Sequence, residues 1–202
     1  MSSDSQFWWN WGVSLAVAIA TFLAVLVALF GNRAQALLFP PILHLGLFSD
    51  KGELISLSDQ NGKHVGWAQY YYIHVWNTRR WSPAEQTQVS LIRLEKKDGG
   101  ILWSGEVPIR WRNQEYFPLL RIIGPSADCD FCRVESSGML RLLPIFVPNN
   151  MPHEWKDRCE FVAHLRAHST HADSEVLRLT VSWDWEHPLD IRPDERVPLA
   201  GS

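Results

Sequence analysis

Cysteine is scarce, three residues among 202, and a small odd number does not read as the paired framework of a domain stapled by disulfides. No asparagine is followed by x-Ser or x-Thr, so the chain carries no acceptor for N-linked sugar. A basic excess is absent too: 19 Lys and Arg stand against 22 Asp and Glu, for a formal charge of −3. The arginines are dispersed among the acids, which excludes the electrostatic footprint of a nucleic-acid binder. There is no Gly-x-Ser-x-Gly elbow, no phosphate-binding glycine loop ahead of a helix, no dinucleotide fingerprint and no His-Glu-x-x-His, so the sequence offers no enzyme signature of those well-marked kinds. Low-complexity stretches and fixed-period repeats are also lacking.

Most informative is an absence of charge: residues 7–30 contain no Asp, Glu, Lys or Arg. At 1.5 Å per residue such a helix is roughly 36 Å long, enough to cross a hydrocarbon core of about 30 Å. Eleven Val, Leu, Ile and Phe residues between Val13 and Phe30 favour insertion by roughly 3 to 7 kcal/mol. Trp8, Trp9 and Trp11 crowd one end, where amphipathic rings favour the headgroup level, and Asn32 and Arg33 mark the other. A soluble core helix would need an amphipathic partner helix, which the rest of the chain does not offer. Ala34-Gln35-Ala36 resembles a signal cleavage site, but the run exceeds a signal h-region and the preceding tail has no Lys or Arg. The run therefore reads as a retained signal-anchor, with the lipid bilayer as its partner. Arg33 follows the span while no basic residue precedes it, which favours a cytoplasmic C-terminal body in a single-pass protein of the cell membrane.

The expected organisation is a tail at 1–6, the transmembrane helix at 7–30, a juxtamembrane joint at 31–41 stopped by Pro40-Pro41, a β-sandwich at 42–186 and a polar tail at 187–202. Residues 42–48 form an apolar run of strand length, followed by a polar loop with a short strand at 53–57. Residues 67–76 place Tyr71, Ile73 and Val75 on one face and Tyr70, Tyr72, His74 and Trp76 on the other. Alternation resumes at 86–96, and Lys97-Asp98-Gly99-Gly100 turns the chain into 101–104 as a hairpin. Further strands are expected at 107–111, 116–123 and 139–147, each bounded or broken by proline. Phe161, Ala163, Leu165 and Ala167 alternate with polar partners, as do Leu177, Leu179, Val181 and Trp183, so these two runs should pair antiparallel. Short strands with turns between them and no helical period beyond the anchor predict an all-β sandwich. Val75-x-Asn77, Pro83-Ala84 and the alternating Val89 and Leu91 resemble the strand-to-strand passage of immunoglobulin-like domains, over about thirty residues. That resemblance implies an immunoglobulin-like antiparallel sandwich; the disulfide and tryptophan signature of antibody domains is absent.

Cys129-x-x-Cys132, in a stretch read as a loop, reads first as unreacted loop thiols and next as a local or long-range disulfide, and its spacing also suits the clamping of one side of a zinc ion. A closed site would need Cys159 and histidines from His164, His168 and His171, and the same residues define the alternative reading, a metal-dependent or redox-sensing domain. On an extended strand His164 and His168 lie about 13 Å apart, so the histidines read more simply as a solvated polar face. Asp184 and Glu186 flank Trp185 in the manner of a carboxylate pair, and also in the manner of a charged strand edge. Eight tryptophans lie beyond the anchor, too many for one small core. Arg79-Arg80-Trp81 joins the two residue types most enriched in binding hot spots and is the candidate partner-binding loop. The functional expectation is a binding, accessory or scaffold module at the membrane, needing no cofactor, with another membrane or membrane-proximal protein as its partner.

Overall fold

The computed structural model describes residues 3–59, 61–112 and 121–194, in two compact units, Met1–Pro40 and Pro41–Ser202. The first unit is α1, Ser3–Leu38, which ends where Pro40 and Pro41 remove the backbone donors needed to continue it. Its stretch Trp11–Ala28 is long and apolar enough to cross a membrane. Val13, Val17, Phe22 and Val27 point outward on different sides, all exposed, so the helix is apolar all round rather than on one stripe. The hydroxyl of Thr21 donates to Val17 O at 2.8 Å, hiding a polar group within the helix itself.

The second unit is built from strands: β1 Leu43–Leu47, β2 Glu53–Ser58, β3 His64–Asn77, β4 Ala84–Lys96, β5 Ile101–Pro108, β6 Arg121–Ile123, β7 Ser126–Glu135, β8 Met139–Leu142, β9 Glu154–Trp155, β10 Cys159–His168, β11 Leu177–Trp183 and β12 Asp190–Pro193. They form two antiparallel sheets. The first runs β1-β3-β7-β8-β9 with β2 also on β3, and the second runs β12-β11-β10-β4-β5 with β6 also on β4. The chain changes sheet in the turn between β3 and β4. Ile73 and Val75 on β3, Phe131 on β7 and Leu140 on β8 share one buried cluster with Val89 and Leu94 on β4, Phe161 and Leu165 on β10 and Leu179 on β11. Trp155 stacks on Phe161 with centroids 4.6 Å apart, covering one end of that cluster.

β10 and β11 pair antiparallel, as their alternation anticipates, in a register that sets Phe161 opposite Val181, Ala163 opposite Leu179 and Leu165 opposite Leu177. The tight turn at 97–100 also forms, with Lys96 N donating to Gly100 O at 2.7 Å and Gly99 at φ +91°. Several strands differ from the sequence reading: the run expected at 101–104 and the start of that at 107–111 form the single strand β5, the run expected at 139–147 ends at Leu142, and β9 was not anticipated. β7, expected as a loop, lies in the middle of the first sheet, where Ala127, Cys129 and Phe131 face inward between Ser126, Asp128 and Asp130. β12 carries the body past residue 186, because Ile191 pairs with Val181 and buries its side chain. The strand expected at 116–123 appears only as β6; its residues 116–120 and the end of the polar tail, 195–202, lie outside the described residues.

Candidate functional site

The outer face of the first sheet carries a continuous row of rings. It begins at Gly46 on β1, opposite His74 on β3. With no side chain at Gly46, the Trp76 indole leans across it; a Cβ there would lie 3.1 Å from the ring. Trp76 stacks with His44 at 5.4 Å and with His74 at 5.6 Å, both near parallel. Phe48 then meets His74 and Tyr72, and Tyr72 stacks with Tyr70 at 6.3 Å. The period-2 geometry of β3 is the cause, since every second residue from Tyr70 to Trp76 is aromatic or imidazole.

A row of charges runs beside the rings. Arg112 lies 4.2 Å above the Tyr72 ring and pairs with Glu53 and, at 4.0 Å, with Asp128. Burial pushes the Tyr72 phenol up to about 12, against the opposing pull of Arg112. Burial likewise raises the Asp130 carboxyl, with Arg110 and Arg112 acting against it. His74 Nδ1 sits 2.6 Å from Asp128 Oδ1, and because a carboxylate only accepts, Nδ1 carries the proton of that bond. Farther along, Arg133 donates to Glu135 and to the Tyr70 hydroxyl, and Arg141 pairs with Glu154.

Two clefts open along this row. One, of about 380 Å³, lies between Phe48, Tyr72, Gly52 and the Glu53–Arg112 pair. The other, of about 540 Å³, is lined by His74, Trp76, Asn77, Thr78, Arg80, Pro125 and Ser126. The loop 79–81 thus contributes Arg80 to the end of the aromatic row, while Trp81 is 54 % exposed at the turn. Asn77, 2 % exposed, holds this turn: its Oδ1 accepts from Ile42 N and Arg79 N, and its Nδ2 donates to Ser82 O at 2.7 Å.

The proposed metal set is not gathered. Cys129 and Cys132 sit in β7 rather than in a loop, both fully buried, because a bulge opposite Tyr71 and Tyr72 turns residues three apart toward the core. Burial drives the Cys132 thiol well above its usual range, with Cys159 adding to the rise, and pushes Cys159 itself up to about 12. A thiol held protonated is a poor nucleophile and a poor ligand. His168 lies between Asp173 at 3.0 Å and Glu106 at 3.4 Å, whereas His164 contacts Glu95 at 3.1 Å on the second sheet, and His171 stands in the loop beyond β10. Among the described residues no three His, Cys, Asp or Glu side chains meet in a metal-holding group.

Asp184, the first of the two acids flanking Trp185, is taken up by the turn. Asp184 Oδ1 accepts from the backbone of Glu186 and His187 and from the His187 ring, at 3.1, 2.8 and 2.8 Å, which makes it the cap of the turn after β11. Hydrogen bonding from His187 lowers its pKa.

Sequence reasoning missed Asn77 as the support of the loop, and missed Asp128, Ser126 and Arg112 as neighbours of the aromatic row. The alternation Ala127, Cys129, Phe131 against Ser126, Asp128, Asp130 was the signal for β7. Compared with protein-family models, curated proteins and solved structures, the chain matches none.

Proposed function

We propose that this chain is a single-pass, membrane-anchored β-sandwich that works by binding, as an accessory or scaffold module, through the outer face of the first sheet and the adjoining β3–β4 turn. The observation that carries this reading is the row from His44 to Tyr70 with a cleft at two places along it. Rings and arginines in fixed contact lose little conformational freedom when a partner docks, which is why Trp, Tyr and Arg dominate binding hot spots. The α1 stretch Trp11–Ala28 supports the anchor, being apolar on all sides and exposed. Arg33, set against a basic-free tail, supports a cytoplasmic body. The immunoglobulin-like assignment rests on the passage 75–91, in which the chain leaves the first sheet at Asn77 and enters the second at Ala84.

The test is photo-cross-linking in native membranes from a probe at position 81. A reproducible partner band, reduced in a Trp76→Ala variant, supports the reading; no reproducible partner overturns it. Full-length protein that stays in the supernatant after ultracentrifugation without detergent overturns the anchor. A body cleaved by protease added to intact cells reverses the orientation.

A further inference from the structure

Resting on that reading, the 540 Å³ cleft differs from the rest of the sheet face in its chemistry. Four arginines beside the rings are each matched by an acid: Arg110 by Asp130, Arg112 by Glu53 and Asp128, Arg133 by Glu135 and Arg141 by Glu154. Arg80 is exposed, and among the described residues it has no ion-pair partner and no Asp or Glu lines its cleft. The lining supplies donors instead. Arg80 offers a planar fork of N–H groups, and the Thr78 and Ser126 hydroxyls have no hydrogen-bond partner among the described residues. His74 borders the cleft with its Nδ1–H given to Asp128, so the neutral ring has no second N–H to offer and the donors are those of Arg80, Thr78 and Ser126. Asp128, the carboxylate bonded to His74, is also paired with Arg112, so its charge is compensated.

We propose that this cleft binds a phosphate-type oxyanion carried on a small polar molecule, with Arg80 as the charged clamp and the Thr78 and Ser126 hydroxyls as further donors. The volume exceeds that of bare phosphate and suits an ester of sugar or inositol size. The Trp76 indole is stacked by His44 and His74, so it contributes an edge rather than a platform, and recognition falls on the anion. Such a group occurs on a soluble phosphate ester and on a lipid headgroup alike.

The experiment titrates full-length protein, in nonionic detergent, with glucose 6-phosphate, glucose and inorganic phosphate, reading tryptophan fluorescence and heat. A second arm measures its association with vesicles of phosphatidylcholine with and without phosphatidylinositol phosphate. Saturable binding of a phosphate probe that glucose does not reproduce is the expected result. Arg80→Ala should weaken it about tenfold or more, Arg80→Lys less, and Thr78→Val or Ser126→Ala by a few-fold each. Equal urea midpoints for Arg80→Ala and the parent exclude misfolding as the cause. Binding of glucose 6-phosphate identifies a soluble ester as the source, and a response only to vesicles bearing the phosphorylated headgroup identifies a lipid. Glucose binding as well as its phosphate, an Arg80→Ala variant that binds unchanged, or no saturable response to any phosphate probe in either arm overturns the proposal. If cross-linking from position 81 still captures a partner in that event, the recognition face stands and only the ligand class fails.

Discussion

Replacing Asn77 by alanine tests the argument at the residue that joins fold to site. Its amide is 2 % exposed and makes three hydrogen bonds to backbone: from Ile42 N at 3.2 Å, from Arg79 N at 3.0 Å and to Ser82 O at 2.7 Å. Each such bond is worth about 1 kcal/mol net, and the backbone groups left behind in a buried place cost more than a lost surface bond. The expected destabilisation is therefore about 3 kcal/mol, a large share of the roughly 5–15 kcal/mol that holds a domain together. Asn77→Asp should do no better, because it keeps the acceptor for Ile42 and Arg79 but sets an oxygen against Ser82 O. Urea unfolding of the full-length protein in detergent, followed by tryptophan fluorescence, measures the effect. The midpoint should fall without a change in slope. Hydrogen exchange should quicken first at Arg79 and Ser82, whose amides are held within this turn. A loss below about 0.5 kcal/mol, the scale of an ordinary surface substitution, would refute the claim that this amide organises the turn.

Three further outcomes follow from other parts of the body. Gly46→Val should displace the Trp76 ring and cost about 1–3 kcal/mol, since even a Cβ would approach that ring to 3.1 Å; an unchanged near-ultraviolet circular dichroism spectrum would contradict the ring contact. Burial lowers the pKa of His164 below its usual 6.5, opposed by Glu95 and assisted by Arg178 and Arg93. The unfolded chain therefore takes up that proton first, so the contribution is present above pH 6.5 and is lost as pH falls, at no more than about 1.4 kcal/mol per pH unit, and His164→Gln should flatten that slope in urea titrations. Cys129 and Cys132 should react with a thiol reagent only as fast as the body opens, and immediate labelling of both in native buffer would show that the core around β7 is not closed.

Much of the body was legible residue by residue. The outward set Tyr70, Tyr72, His74 and Trp76 follows from strand period alone, and the two alternating runs at 161–167 and 177–183, joined by a polar loop, announced an antiparallel hairpin whose register the structure supplies. β7 was harder to read because its three acids and one arginine resemble a polar loop until Ala127, Cys129 and Phe131 are seen to alternate with Ser126, Asp128 and Asp130. A bulge then breaks the alternation and carries Cys132 inward, which no count of spacing between thiols reveals. The candidate site was legible in part: Arg79, Arg80 and Trp81 stand out by residue type, but the partners that turn Arg80 into the wall of a cleft come from β3 and β7.

By itself the sequence determined an uncharged run long enough to cross a bilayer, a body of alternating strands and the local turns between them, because these depend on composition and on neighbours a few residues apart. Only the tertiary structure decided which strands share a sheet, that Gly46 lies beneath Trp76, that Ser126 and Asp128 join residues some fifty positions earlier, and that the thiols and histidines stay apart. The physical reason is that strand period assigns a side chain to one of two faces, whereas the choice of neighbouring strand is made by core packing between segments distant in the chain, and that choice leaves no periodic mark on either segment.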